Sequence, residues 1–137
     1  MSSLLEDVQS ERPQKIESTT LPLPFAKTVG ALVDEIHTDL LVTKYTNCNF
    51  VSVTQLGKLG TIVQVLQEQV QGIEGNSKIV YSSQLLFGLD SEEIQLMGRV
   101  LAEKIKHQNK SLILCVGIKG LNIDLALKLV DLIMLHM

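Results

Sequence analysis

At 137 residues the chain is the length of one domain. Its 12 basic and 15 acidic side chains leave a formal charge of −3, which excludes a nucleic-acid module that needs a basic face against phosphate; three Phe, two Tyr and no Trp leave few rings for stacking bases. Two cysteines, Cys48 and Cys115, make no disulfide framework, and no Cys-x-x-Cys or paired-His spacing offers a metal site.

Residues 1–24 read as a flexible N-terminal arm, rich in Ser, Thr, Glu and Gln, with all three prolines, Pro13, Pro22 and Pro24. The arm has neither the basic start nor the apolar run of a secretory signal. Residues 25–137 are then expected to form a single domain. Strands come first. Thr28–Ile36 is predicted as one, interrupted by Gly30, and Leu40–Tyr45 as a second, ended by Asn47-Cys48-Asn49. Phe50–Leu56 is a third, dense in β-branched and aromatic residues. Gly57-Lys58-Leu59-Gly60 separates it from a fourth, Thr61–Gln67, and so short a glycine-bearing link predicts an antiparallel hairpin. A polar turn over Gly72–Ser77 leads to a fifth strand, Lys78–Phe87, stopped by Gly88.

Helical signals follow. Asp90 reads as an N-cap with Glu93 completing a capping box, and Leu89 and Ile94 as a hydrophobic staple. Ile94, Met97, Leu101 and Ile105 fall on one stripe. Gly98 beside it costs about 1 kcal/mol against Ala, which predicts a close approach of the helix backbone to the sheet. Leu112–Ile118 is apolar in both parities and is expected to be a central strand buried on both faces. It falls far short of the roughly 20 residues that cross a bilayer. A closing helix over Asn122–His136 carries one narrow polar stripe, Asp124, Lys128 and Asp131. The predicted fold class is α+β, a mostly antiparallel six-stranded sheet with two helices in the order βββββαβα.

Six strands at about 4.8 Å span roughly 29 Å, and two helices about 10 Å across cover one face of such a sheet but not both. Hydrophobic residues nevertheless make up 45% of the chain, with a mean hydropathy of +0.24. Val51, Val53, Val63 and Val65 suit one face, while Phe50, Leu56, Ile62 and Leu66 occupy the opposite parity. Surplus apolar surface of this kind predicts a protein partner. Free thiols fit a reducing compartment, so the cytoplasm is the expected location, with the nucleus also open to it.

Chemistry is sparse. His37, His107 and His136 fall at element ends without a nucleophile motif such as Gly-x-Ser-x-Gly. Cys115 lies in the most apolar strand, where a thiolate is disfavoured, and reads as packing. Gly57-Lys58-Leu59-Gly60 lacks the spacing of a phosphate loop and precedes a strand, not a helix. No catalytic, cofactor or metal residue is assigned, and neither nucleic acid nor a membrane is expected as a partner.

The stretch Val53-Thr54-Gln55-Leu56-Gly57-Lys58-Leu59-Gly60-Thr61 resembles the hairpin signature of the proteasome assembly chaperone 3 family. Leu85-Leu86-Phe87-Gly88-Leu89-Asp90 resembles that family's Leu-Leu-Gly and acidic helix start, and the strand Leu112–Ile118 and closing helix follow at similar spacing. The likeness runs from about Val33 to Met137; the N-terminal arm and Gln67–Ser77 depart from it. The resemblance implies a non-enzymatic chaperone of the proteasome core particle that uses no ATP. It would pair with the related proteasome assembly chaperone 4, or with itself, bind α-type subunits, promote α-ring formation, and leave as β-type subunits arrive. On that reading Thr54, Gln55, Lys58 and Thr61 are candidates for polar partner contacts, and Leu129, Ile133 and Leu135 for apolar ones. The alternative is a small dimeric adaptor or scaffold of the vesicle-trafficking type, which usually places a helix early in its sheet.

Overall fold

The computed structural model describes residues 25–55, 60–72, 75 and 77–137. The expected arm, residues 1–24, lies outside them. The elements run β1 (Phe25–Val33), β2 (Ile36–Lys44), β3 (Cys48–Thr54), β4 (Thr61–Gln71), β5 (Ser77–Phe87), α1 (Glu92–Lys104), a 3₁₀ turn (Lys106–Gln108), β6 (Ser111–Gly117) and α2 (Ile123–Leu135). The α+β class and the order βββββαβα are as the sequence predicts. The six strands form one sheet in the order β1-β2-β3-β6-β4-β5, in which every pairing is antiparallel except β3 with β6.

That order corrects the predicted β3–β4 hairpin. The two strands are not neighbours; β6 inserts between them, parallel to β3 and antiparallel to β4. The cause lies in β6 itself. Leu112, Leu114, Cys115 and Val116 are all at most 3% exposed, and a strand this apolar also buries its backbone. Each buried N–H and C=O must then find a partner on one side or the other, which only a central position supplies. A tight β3–β4 hairpin would have closed that position.

The two ends of the β3–β4 link, Gln55 and Gly60, therefore lie on opposite sides of β6. The Gln55 amide donates to the Gly117 carbonyl at 2.9 Å. On the far side Gly60 lies so close to β6 that a Cβ there would sit 2.2 Å from the Val116 carbonyl oxygen and 2.7 Å from Gly117 Cα. Only glycine fits such an approach. Gly88 meets the same corner with φ +92°, its Cα side against Thr61.

Two further boundaries differ from expectation. The β1–β2 turn is Asp34-Glu35, with φ of 51° and 65°, so β1 ends and β2 begins several residues earlier than the pattern suggests. Left-handed backbone at two consecutive positions is usually marked by Asn-Gly or Asp-Gly, and Asp-Glu gives no such cue. Lys128 of α2 braces this turn, donating to Asp34 Oδ1 at 2.7 Å. At α1 the N-cap is Ser91 rather than Asp90. Ser91 Oγ accepts from the Ile94 amide at 3.2 Å, and the Asp90 carboxylate instead accepts from the Ser91 amide and the Gln95 side chain. Either residue suits the role chemically; one position of backbone decides it. Asn122 caps α2 through the Leu125 amide, at the position where the sequence starts the closing helix.

One core joins Leu40, Val42, Val51, Val53, Val63, Val65, Leu112 and Leu114 of the sheet to Met97 and Leu101 of α1 and Leu129, Val130 and Ile133 of α2. Both helices thus cover the same face, and full burial of each such side chain contributes about 1.5–3 kcal/mol. Gly98 lets α1 settle on β4, where a Cβ would stand 3.0 Å from Val65 Cγ2. At the other end of the helix Tyr81 donates to Glu103 Oε1 at 2.8 Å, and Lys106 to Glu103 Oε2 at 2.9 Å.

Gly60→Ala is expected to destabilise the fold by about 1–3 kcal/mol or more through overpacking against β6, measured by urea denaturation. Burial of Tyr81, with its bond to the Glu103 carboxylate and that group's charge, pushes the phenol up to about 12 from 10.0. Between those values the unfolded chain gives up the proton first, so stability falls as pH rises from about 10 to about 12. Denaturation midpoints across that window should decline less steeply in Tyr81→Phe than in the parent; equal slopes would count against the assignment.

Candidate partner-binding surface

Side chains alternate across a strand, so the pairing register fixes which residues share the face that the helices leave uncovered. Two rows run across it. One is Thr43, Phe50, Ile113, Gln64 and Gln84; the next is Leu41, Ser52, Cys115, Ile62 and Phe87. Leu66 on β4 and Val80 on β5 extend the face toward the β5 edge. Phe50, Ile113, Leu41, Ile62 and Leu66 are half-buried without a helix above them. They surround two small residues, Ser52 and Cys115, which their bulk largely hides from water.

Apolar exposure is high at the C-terminal end of β5. Between Ile62 and Val63 the β4–β5 register shifts, so that Phe87 faces Ile62, Leu85 faces Val63, and Leu86 is the extra residue of a bulge. Bulges re-aim side chains. Here Leu86 is 47% exposed and Phe87 61% exposed. Phe87 continues into a small hollow of about 310 Å³ at the end of β6, walled by Gly60, Thr61, Gly88, Leu89 and Ile118.

The residues singled out from sequence fall into three groups. Thr54, Gln55 and Thr61 do gather at one place, the strand ends around Gly117, but largely as internal fasteners. Thr54 Oγ1 donates to the Gly117 carbonyl, the Gln55 side chain to Thr38 Oγ1, and Thr61 Oγ1 to the Leu89 carbonyl at 2.7 Å. Lys58 lies outside the described residues. Among the α2 candidates, Leu129 and Ile133 are corrected: both are 0% exposed. They sit on the helix stripe that packs the core, so neither side chain is free to meet a partner. Leu135 is 78% exposed and stays available.

Sequence reasoning missed Ile113 and Phe87 as surface groups and did not promote Phe50, Ile62 or Leu66 to site residues. Their shared parity opposite Val51, Val53, Val63 and Val65 was the usable signal. What it lacked was the strand order that joins them into a patch.

Ionisable groups on this face are few. His37 Nε2 and Asp39 Oδ1 stand 2.9 Å apart at its β1–β2 margin, both well exposed. Among the described residues no three His, Cys, Asp or Glu side chains could hold a metal ion. No helix among them is long and apolar enough to cross a membrane.

The chain is a mixed sheet with one face covered by helices and an open face rich in apolar side chains, a surface of the kind through which proteins associate. The family model for proteasome assembly chaperone 3 matches residues 51–135, and the chain belongs to that family. A proteasome assembly chaperone 3 from Nematostella vectensis is 29% identical over 92 residues, 64% of this chain and 68% of that one. Among solved structures, a chain from a chaperone complex for yeast 20S proteasome assembly superimposes with a TM-score of 0.56 at 11% identity, covering 80% of this chain and 96% of that chain. At that identity the likeness is one of fold.

The two kinds of α2 position should separate cleanly in a stability measurement. Leu129→Ala is expected to cost about 2–5 kcal/mol through the cavity it opens, while Leu135→Asp should stay within about 0.5 kcal/mol of the parent.

Proposed function

We propose that the chain is a non-enzymatic assembly chaperone of the proteasome core particle, working as a dimer with a related chaperone, proteasome assembly chaperone 4, to promote formation of the α-ring. Family membership supports the chaperone role. The observation that carries the dimer is the open face of the sheet. Phe50, Ile62, Leu66 and Ile113 lie on it with no helix above them, and Leu86 and Phe87 at its β5 margin are more exposed still. Apolar area of this kind contributes about 25 cal/mol per Å² when covered, and a chaperone of the same fold offers a sheet of matching breadth. Binding of this sort works through buried apolar anchors and a polar rim, with no titrating group required. His37, Asp39 and Gln84 provide polar groups toward the margins of the face.

In this reading Leu135 and the link carrying Lys58 remain for contact with an α-type subunit, while the sheet face is occupied by the partner chaperone. The cytoplasm and nucleus are the compartments in which such a complex would act. The trafficking-adaptor alternative is disfavoured by element order, because no helix precedes Glu92 among the described residues.

Phe50→Asp, a charge placed in the middle of the open face, is expected to abolish capture of the related chaperone while the melting temperature changes little. The tagged parent and variant would be purified from cells and their partners identified by native mass spectrometry. A parent that brings down neither a chaperone partner nor α-type subunits would overturn the proposal.

A further inference from the structure

α2 is apolar over more of its girth than the core uses. Leu125, Ala126, Leu129, Val130 and Ile133 are buried, whereas Leu132 and Met134 are half-buried and Leu135 is 78% exposed. These last three, with Lys128, Asp131 and Lys104 at the end of α1, line an open groove of about 750 Å³ on the helix side of the molecule. Lys128 is held by Asp34, but Lys104 makes no ion pair among the described residues. Apolar walls beside a cation that lacks a carboxylate are complementary to a short apolar segment carrying acid.

Residues 1–24 contain such a segment, and they join the described fold beside the groove. Phe25 pairs with Lys44. Lys44 Nζ donates to the Met137 carbonyl at 2.7 Å, and Met137 lies two residues beyond Leu135. By way of Lys44 and Met137 the path from Phe25 to Leu135 is roughly 20 Å. In Leu4-Leu5-Glu6-Asp7-Val8, Leu4 and Leu5 stand four and three residues before Val8, the spacing at which apolar anchors meet a groove, with an acidic pair between them. Further along, Ile16, Leu21 and Leu23 lack either a second anchor at that spacing or an acidic neighbour. Residues 9–24 connect the segment to Phe25 and reach at most about 55 Å, more than the path requires. A tether of this length holds the segment at an effective concentration on the order of millimolar.

We infer that Leu4–Val8 docks in this groove of its own chain, with Leu4, Leu5 and Val8 against Leu132, Met134 and Leu135 and the acidic pair toward Lys104. The groove is on the helix side, so the open face of the sheet stays available. Leu135 belongs to the groove, so the docked segment and an α-type subunit would exclude one another there; the docking itself does not rest on that reading.

Disulfide trapping tests it on the full chain carrying Cys48→Ser, with Gln9→Cys beside the segment and Asp131→Cys in the groove. Mild oxidation should close a disulfide within one chain, identified by intact mass without reductant. Its rate should be roughly tenfold higher than in the same chain with Leu4→Ser, Leu5→Ser and Val8→Ser, where only the tether remains. Lys104→Glu should slow closure several-fold, and adding Glu6→Lys and Asp7→Lys should restore it. Phe50→Asp should leave the rate unchanged. Equal rates with and without the three apolar side chains would overturn the inference, as would a disulfide that joins two chains instead of closing one. Closure that ignores Lys104→Glu, fails to recover on charge reversal or is lost in Phe50→Asp would overturn it as well.

Discussion

The arrangement of this domain depends on the backbone of β6. Leu112–Val116 is too apolar to lie at a sheet margin, and its peptide groups are too deeply buried to be satisfied by water. Placing it between β3 and β4 resolves both requirements at once. The consequences spread outward: Gln55 and Gly60 fall on opposite sides of β6, Gly60 has to lie against Val116, and Thr61 has to turn toward Leu89. The polar residues of that corner, Thr54, Gln55 and Thr61, act first as fasteners within the fold.

The central placement of β6 also builds the open face. Only when it lies between β3 and β4 do Phe50, Ile113 and Gln64 fall in one row and Ser52, Cys115, Ile62 and Phe87 in the next. Both helices enter late and pack on the other side, because α1, β6 and α2 follow one another and share the core of Met97, Leu114 and Leu129. One face is thus filled by the chain's own helices, and among the described residues no helix covers the other.

Much of this was readable beforehand where a local signal had a single interpretation. The start of the closing helix near Asn122, the stripe Ile94–Met97–Leu101, the reason for Gly98 and the buried character of Leu112–Ile118 all follow from residue type and period. Misreadings arose where two local solutions were nearly equivalent. Asp90 and Ser91 are both good caps, and Asp34-Glu35 forms a turn that favoured dipeptides would have announced. The glycine-bearing link after β3 is as compatible with a crossover as with a hairpin. Leu129 and Ile133 show a different limit, because an apolar helix reveals that it is buried but not which of its stripes meets its own sheet.

Composition and periodicity by themselves determined the class of fold and the number and order of its elements. These are properties that each residue or segment carries regardless of its neighbours. The tertiary structure alone decided the strand order, the bond of Gln55 to Gly117, and which apolar side chains stay uncovered. Those depend on pairing between segments some sixty residues apart, as Phe50 with Ile113, and no local preference records which distant backbone will satisfy a strand's hydrogen bonds.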